Sequence, residues 1–129
     1  MQTIEKPPHV SEAAMQADIF QYFWNNYPIT RRRIFHVPNG GSRNKIEAVR
    51  LRAQGVVKGV CDLLGLGENG FFAVELKIRG NKELGIKDGV VSPEQQAIHD
   101  LWRSLGYKVY VCWSYDESIQ VIKNEFNLC

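Results

Sequence analysis

The stretch VCDLLGLGENGFFAVELKI, Val60 to Ile78, decides how this chain folds. Val60-Cys61-Asp62-Leu63-Leu64 reads as one β-strand and Phe71-Phe72-Ala73-Val74-Glu75-Leu76-Lys77-Ile78 as its partner, with Gly67-Glu68-Asn69-Gly70 as the turn. Two registers fit. A loop centred on Glu68-Asn69 sets Asp62 directly opposite Glu75, whereas an Asn69-Gly70 type I′ turn sets Asp62 opposite Lys77 and diagonal to Glu75. In both, Asp62, Glu75 and Lys77 share one face of the sheet while Val74, Leu76 and Ile78 take the other, because side chains alternate along a strand.

A charged face on a half-buried strand can simply be its solvated side. The charges argue for more than that. Two carboxylates about 5 Å apart repel by about 3 kcal/mol at an effective dielectric of 20. A divalent cation removes this penalty, and Mg²⁺ suits a site of one or two carboxylates completed by water and phosphate oxygens. Lys77 beside such an ion then has a role.

Asp62 followed after a turn by Glu75-Leu76-Lys77 matches the bipartite signature of the PD-(D/E)XK nucleases. The surrounding sequence resembles the VRR-NUC branch of that superfamily, in its small stand-alone phage or bacterial form, and is similar to the nuclease domain of the Fanconi-associated nuclease. The supporting stretches are Asn39-Gly40-Gly41, Glu47-Ala48-Val49-Arg50-Leu51-Arg52, Gln54-Gly55-Val56, Gly59-Val60-Cys61-Asp62 and Ser92-Pro93-Glu94-Gln95, and the resemblance covers roughly residues 11–113. The aspartate and Glu-x-Lys alone form a weak pattern, but the ordered set is specific. One position departs: the residue before the aspartate is usually proline in this family and is Cys61 here. Proline is not a metal ligand, so the change bears on backbone rigidity and leaves the chemistry intact.

The resemblance implies an α/β, single-domain, restriction-endonuclease-like core with a mixed central sheet flanked by helices. It also implies Mg²⁺ or Mn²⁺ held by Asp62, Glu75, the main-chain carbonyl of Leu76 and Glu12, with Lys77 and Gln95 completing the catalytic group.

Composition sets the outer bounds. With 129 residues and 44% hydrophobic content, the chain suits one domain over residues 1–129, of which residues 1–10 read as a flexible tail. No apolar run approaches a membrane span, and Met1-Gln2-Thr3-Ile4-Glu5-Lys6 lacks the pattern of a signal peptide. A cytoplasmic setting without a membrane partner follows by default. Cys61, Cys112 and Cys129 are odd in number and lack C-x-x-C spacing, which argues against a disulfide framework and a structural zinc site.

Net charge is only +2, yet residues 31–58 carry eight basic side chains, Arg31, Arg32, Arg33, Arg43, Lys45, Arg50, Arg52 and Lys58, against the single acid Glu47. Such runs are commonly solvated faces. Beside a nuclease signature, DNA phosphate binding is the better reading.

The remaining pattern gives helix, strand, helix, hairpin, helix, strand, helix. The first helix starts at Ser11 and runs to about Asn26, before Pro28. A strand over residues 33–37, a turn over 38–42 and a basic helix over 43–54 follow. Ser92-Pro93-Glu94-Gln95 offers a capping box for the third helix, with Ile98, Leu101, Trp102 and Leu105 as its apolar stripe and Gly106 as its end. Residues 82–91 read as a mobile loop and 107–113 as a buried strand.

Glu12 stands at the end of the apolar stripe Met15, Ile19 and Phe23, where helix-dipole stabilisation and metal ligation both account for it. Gln95 is similarly divided between the capping box and an inward role. Gly65-Leu66-Gly67-Glu68-Asn69-Gly70 fits a dinucleotide fingerprint, but a strand follows it, so it is a turn. His9, His36 and His99 lack metal-ligand spacing and read as ordinary surface or core histidines, although His36 lies in an Arg-flanked strand within reach of DNA. Tyr22, Trp24, Tyr27, Trp102 and Trp113 read as core aromatics, with only Tyr27 exposed.

The expected function is a Mg²⁺- or Mn²⁺-dependent DNA endonuclease acting on branched DNA such as four-way (Holliday) junctions, as a homodimer with two sites for two cuts. Val121, Ile122, Phe126 and Leu128 could be buried between subunits or pack on their own sheet. An idle DNA-binding module and a sequence-specific restriction-type endonuclease are the alternatives.

Overall fold

The structure, a computed structural model, describes residues 9–38 and 44–129. Among the described residues, four α-helices and four strands follow in the order α1 (Glu12–Asn26), β1 (Ile34–Phe35), α2 (Lys45–Ala53), β2 (Leu63–Gly67), β3 (Gly70–Leu76), α3 (Pro93–Ser104), β4 (Lys108–Cys112) and α4 (Tyr115–Glu125). The strands form one sheet in the order β1-β2-β3-β4. β2 runs antiparallel to both of its neighbours, β1 and β3, and β4 returns parallel to β3 after α3. This is the mixed α/β architecture expected from the sequence.

Gly67 pairs with Gly70 and Leu63 with Val74, so Glu68-Asn69 is the loop and Asp62 falls opposite Glu75. The Asn69-Gly70 turn is not used. A non-local contact fixes the choice: Gly65 pairs with Phe72, whose ring lies where a side chain at Gly65 would begin. An aromatic ring filling the space over a cross-strand glycine pins register in this way. The strands begin and end differently from the sequence reading, with β2 starting at Leu63 and β3 stopping at Leu76. Asp62 and Lys77 therefore stand just beyond the ladder, although the Lys77 amide still donates to the Cys112 carbonyl at 2.9 Å.

One face of the sheet, through Leu63, Phe72, Val74 and Leu76, packs against Met15, Ile19 and Phe23 of α1 and Ile122 and Phe126 at the end of α4. Val121 and Leu128 join this cluster, so the C-terminal apolar stretch packs on its own sheet. The second face holds a smaller cluster of Cys61, Leu64, Ala73 and Val109 with Val37, Phe71 and Trp102.

The helix starts follow local chemistry. The Ser11 hydroxyl accepts from the Ala14 amide at 3.1 Å, and Ser92 with Gln95 forms the full capping box on α3. Asn44 caps α2, which spans 45–53 rather than 43–54; Arg43 and most of the 38–42 turn lie outside the described residues. No residue of α2 is buried, and Ile46 and Val49 are exposed.

Three side-chain expectations change. On α3, Leu101 and Leu105 are 56% and 64% exposed, while His99 is fully buried and Gln95, Ile98 and Trp102 are partly so. The helix turns its polar Gln95-His99 edge inward because a buried carboxylate lies there to pair with it. Trp24 is exposed rather than in the core, and Tyr27 is half-buried. Residues 82–91 contain a 3₁₀ turn at Lys82–Leu84 and an Asn81–Ile86 bridge, and the Gly89 amide donates to the Ile78 carbonyl at 2.9 Å. Of the expected tail, residues 1–8 lie outside the described residues, and His9 sits 2.7 Å from Asp18 with its ring stacked on Tyr115.

Candidate active site

Glu75 is the centre of the site. It is 1% exposed on the sheet face opposite the main core, where strand alternation puts it. Gln95 Nε2 donates to its Oε2 at 3.2 Å, and His99 Nε2 lies 3.3 Å from its Oε1. Burial first, and then a hydrogen bond with Asp62 and the negative charges of Asp62 and Glu12, push the Glu75 carboxyl up to about 9, against the opposing pull of the Lys77 ammonium.

Asp62 is held from both ends. Its Oδ2 accepts from the Leu76 amide at 2.7 Å, and its main-chain carbonyl accepts from His36 Nδ1 at 2.6 Å. His36 is therefore an anchor for the backbone of the motif.

Lys77 is 5% exposed, and its stem reaches the same point as Glu12. A Cβ placed on Gly89 would lie 3.1 Å from Glu12 Oε2 and 3.2 Å from Lys77 Cδ, so both side chains approach the loop closely. Burial raises the Glu12 carboxyl, as does the Asp62 charge, while Lys77 opposes both. Glu12, Asp62, Glu75 and Lys77 thus form one electrostatic group drawn from α1, the approach to β2 and the end of β3.

Gln95 satisfies both of its sequence readings at once. Its Oε1 accepts from the Ser92 amide at 2.9 Å as the capping box requires, which leaves Nε2 for Glu75. His99, one turn further on, reads in the sequence as an ordinary histidine. It faces the site, and its i, i+4 spacing from Gln95 was the available signal. Burial and the Arg103 charge lower its pKa, favouring neutral imidazole, and its Nδ1 has no hydrogen-bond partner. Cys61, Glu75 and His99, all buried, bring one ligand atom each within 4.8 Å of one another, a grouping that is compatible with a metal site.

The basic side chains separate into two kinds. Arg31 donates to the Trp24 carbonyl at 2.8 Å and stacks on its ring, and Arg33 bridges the Leu66 carbonyl and Glu68 while lying over Phe126. Both contribute to the scaffold. Arg32 is exposed at a φ of 66°, Lys45, Arg50 and Arg52 are exposed on α2, and exposed Lys58 pairs with Glu94 at 3.3 Å.

No known family model matches the chain, and no curated protein is detectably similar in sequence. Among solved structures, a protein described as "VRR_NUC domain protein" superposes with a TM-score of 0.67 over 95% of this chain and 93% of its own, at 21% identity. The fold is thus α/β, four helices and a mixed four-stranded sheet, shared with that structure. Within that class it is a VRR-NUC fold, as the sequence resemblance led us to expect.

Proposed function

We propose that the protein is a divalent-metal-dependent DNA endonuclease that hydrolyses phosphodiester bonds. The observation that carries this reading is the convergence of Glu12, Asp62, Glu75 and Lys77 on one point of a VRR-NUC fold. A carboxyl held near 9 by burial beside two other acids is a costly arrangement that a bound dication relieves. The donors from Asp62, Glu75, Glu12 and the Leu76 carbonyl are all oxygens, which suits Mg²⁺ or Mn²⁺.

When bound, such a cation neutralises charge on the scissile phosphate and makes a water acidic enough to attack near neutral pH. Hydrolysis would join the water oxygen to phosphorus as one phosphorus–sugar oxygen bond breaks, the water's proton passing to solvent and the departing sugar oxygen taking one up. Lys77 directs an ammonium donor at the charge that develops on the phosphoryl oxygens. Gln95 fixes the rotamer of Glu75, and exposed Arg32, Lys45, Arg50, Arg52 and Lys58, together with Arg43, engage the DNA backbone without reading bases. Arg31 and Arg33 support that surface through their own contacts.

The finer reading is cleavage of branched DNA, such as four-way junctions, by a C₂ homodimer. One chain offers one such group of residues, and two symmetric cuts need two. The test is to incubate the protein with labelled linear, flapped and four-way DNA, with Mg²⁺, with Mn²⁺ and with neither, beside light scattering. Metal-dependent cleavage favouring the four-way substrate is expected from a dimer. A monomer cutting only linear duplex would remove the junction reading, and binding without cleavage under any metal would favour the idle module.

A further inference from the structure

The sequence departs from its family pattern at Cys61, and the structure places that thiol beside two groups able to share a cation with it. Cys61 and His99 are 0% exposed and Glu75 is 1% exposed, with their ligand atoms within 4.8 Å of one another. Sulfur, imidazole nitrogen and carboxylate oxygen are a poor set for Mg²⁺ and a good one for a thiophilic ion. In a tetrahedral zinc site the same atoms lie about 3.3–3.7 Å apart, given Zn–S near 2.3 Å and Zn–N and Zn–O near 2.0–2.2 Å. His99 and Glu75 already stand 3.3 Å apart, and the thiol lies within 4.8 Å of both.

A structural role in packing accounts for this group less well. His99 Nδ1 is buried without a partner, and an unsatisfied buried polar atom costs about 1–3 kcal/mol. A cation bound through Nδ1 supplies that satisfaction while Nε2 keeps its contact with Glu75.

We propose that Cys61, Glu75 and His99 form a second cation site, selective for a thiophilic dication such as Zn²⁺, with Glu75 as its carboxylate ligand. Binding releases the thiol proton to solvent and leaves a thiolate on the metal. Glu75 is common to this site and to the oxygen-lined one, so occupancy by zinc draws it away from the Mg²⁺ or Mn²⁺ position. Zinc would then inhibit cleavage. That last consequence rests on the proposed nuclease reading, whereas the binding itself does not.

The experiment uses the full chain with Cys129→Ser, which removes the exposed thiol. Co²⁺ is titrated in as a spectroscopic substitute, and a thiolate-to-cobalt charge-transfer band saturating at one ion per chain and lost on adding Zn²⁺ is expected. Cys61→Ser and Cys61→Ala, confirmed as folded by circular dichroism, should lose the band. Zn²⁺ added to a Mg²⁺-supported reaction should inhibit the parent, and should inhibit Cys61→Ser much less relative to that variant's own rate. A folded parent without the band, or a band that persists in both Cys61 variants, overturns the site. A band without zinc inhibition in an active enzyme overturns the competition for Glu75. If no DNA is cleaved under any metal, the nuclease reading fails while the band still decides the zinc site.

Discussion

Glu75 is held by Gln95 on one carboxylate oxygen and His99 on the other and is coupled to Asp62, so its protonation reports the state of the whole site. Its carboxyl lies near 9 against an ordinary 4.5. Between those values the folded protein holds one proton more than the unfolded chain, so stability falls as pH rises. We expect the melting temperature of the metal-free protein to drop progressively from about pH 4.5 toward pH 9. Glu75→Gln should flatten that slope, and Mg²⁺ or Mn²⁺ should restore the parent's stability in the alkaline half. A parent slope unchanged by Glu75→Gln would assign the pH dependence elsewhere. At the same scale, Asp62→Ala, Glu75→Ala and Lys77→Ala should each lower cleavage by about a thousandfold or more, equivalent to about 4 kcal/mol. Near-parental turnover by a folded Asp62→Ala protein would falsify the site assignment.

At the scale of elements, the Gly89 loop, α1 and the end of β3 meet where a methyl group on Gly89 would lie 3.1–3.3 Å from its neighbours, a contact they must give way to. Gly89→Ala would press on Glu12 Oε2, Lys77 Cδ and the Ile78 amide, and the last of these is backbone that cannot swing aside. We expect about a tenfold to a hundredfold loss of cleavage from displaced catalytic groups. The accompanying destabilisation should be about 1–3 kcal/mol, as for ordinary overpacking. Full activity per folded molecule would make the loop scaffold alone. What the sequence made legible at this scale was local: Ser11 and Ser92 mark their helices because each cap is satisfied within three residues. The hairpin register was not legible, since both turns were chemically acceptable and the contact of Phe72 with Gly65 decides between them. The inward face of α3 escapes a sequence reading for a related reason. Apolar spacing favours Leu101 and Leu105, but His99 is buried by Glu75 across the sheet, a partner that no local pattern reveals.

For the molecule as a whole, the charge of residues 31–58 serves two purposes that composition could not separate. Arg33 ties the hairpin to the C-terminal Phe126 and Glu68, whereas Arg50 and Arg52 extend into solvent from α2. Replacing Arg50 and Arg52 with alanine should weaken DNA binding alike for all sequences. It should also reduce the salt dependence of log K by about one for each phosphate that is no longer neutralised. A loss confined to one DNA sequence would instead indicate base readout. The exposed position of α2 carries a further consequence. It is a nine-residue helix with no buried side chain, and helices shorter than about 12–15 residues are marginal in water without tertiary support. Its amides should therefore exchange with deuterium far faster than those of α1, whose Met15, Ile19 and Phe23 are locked in the core. Added DNA should slow exchange in α2 if phosphates contact its basic side chains, making the helix itself a recorder of when substrate is bound.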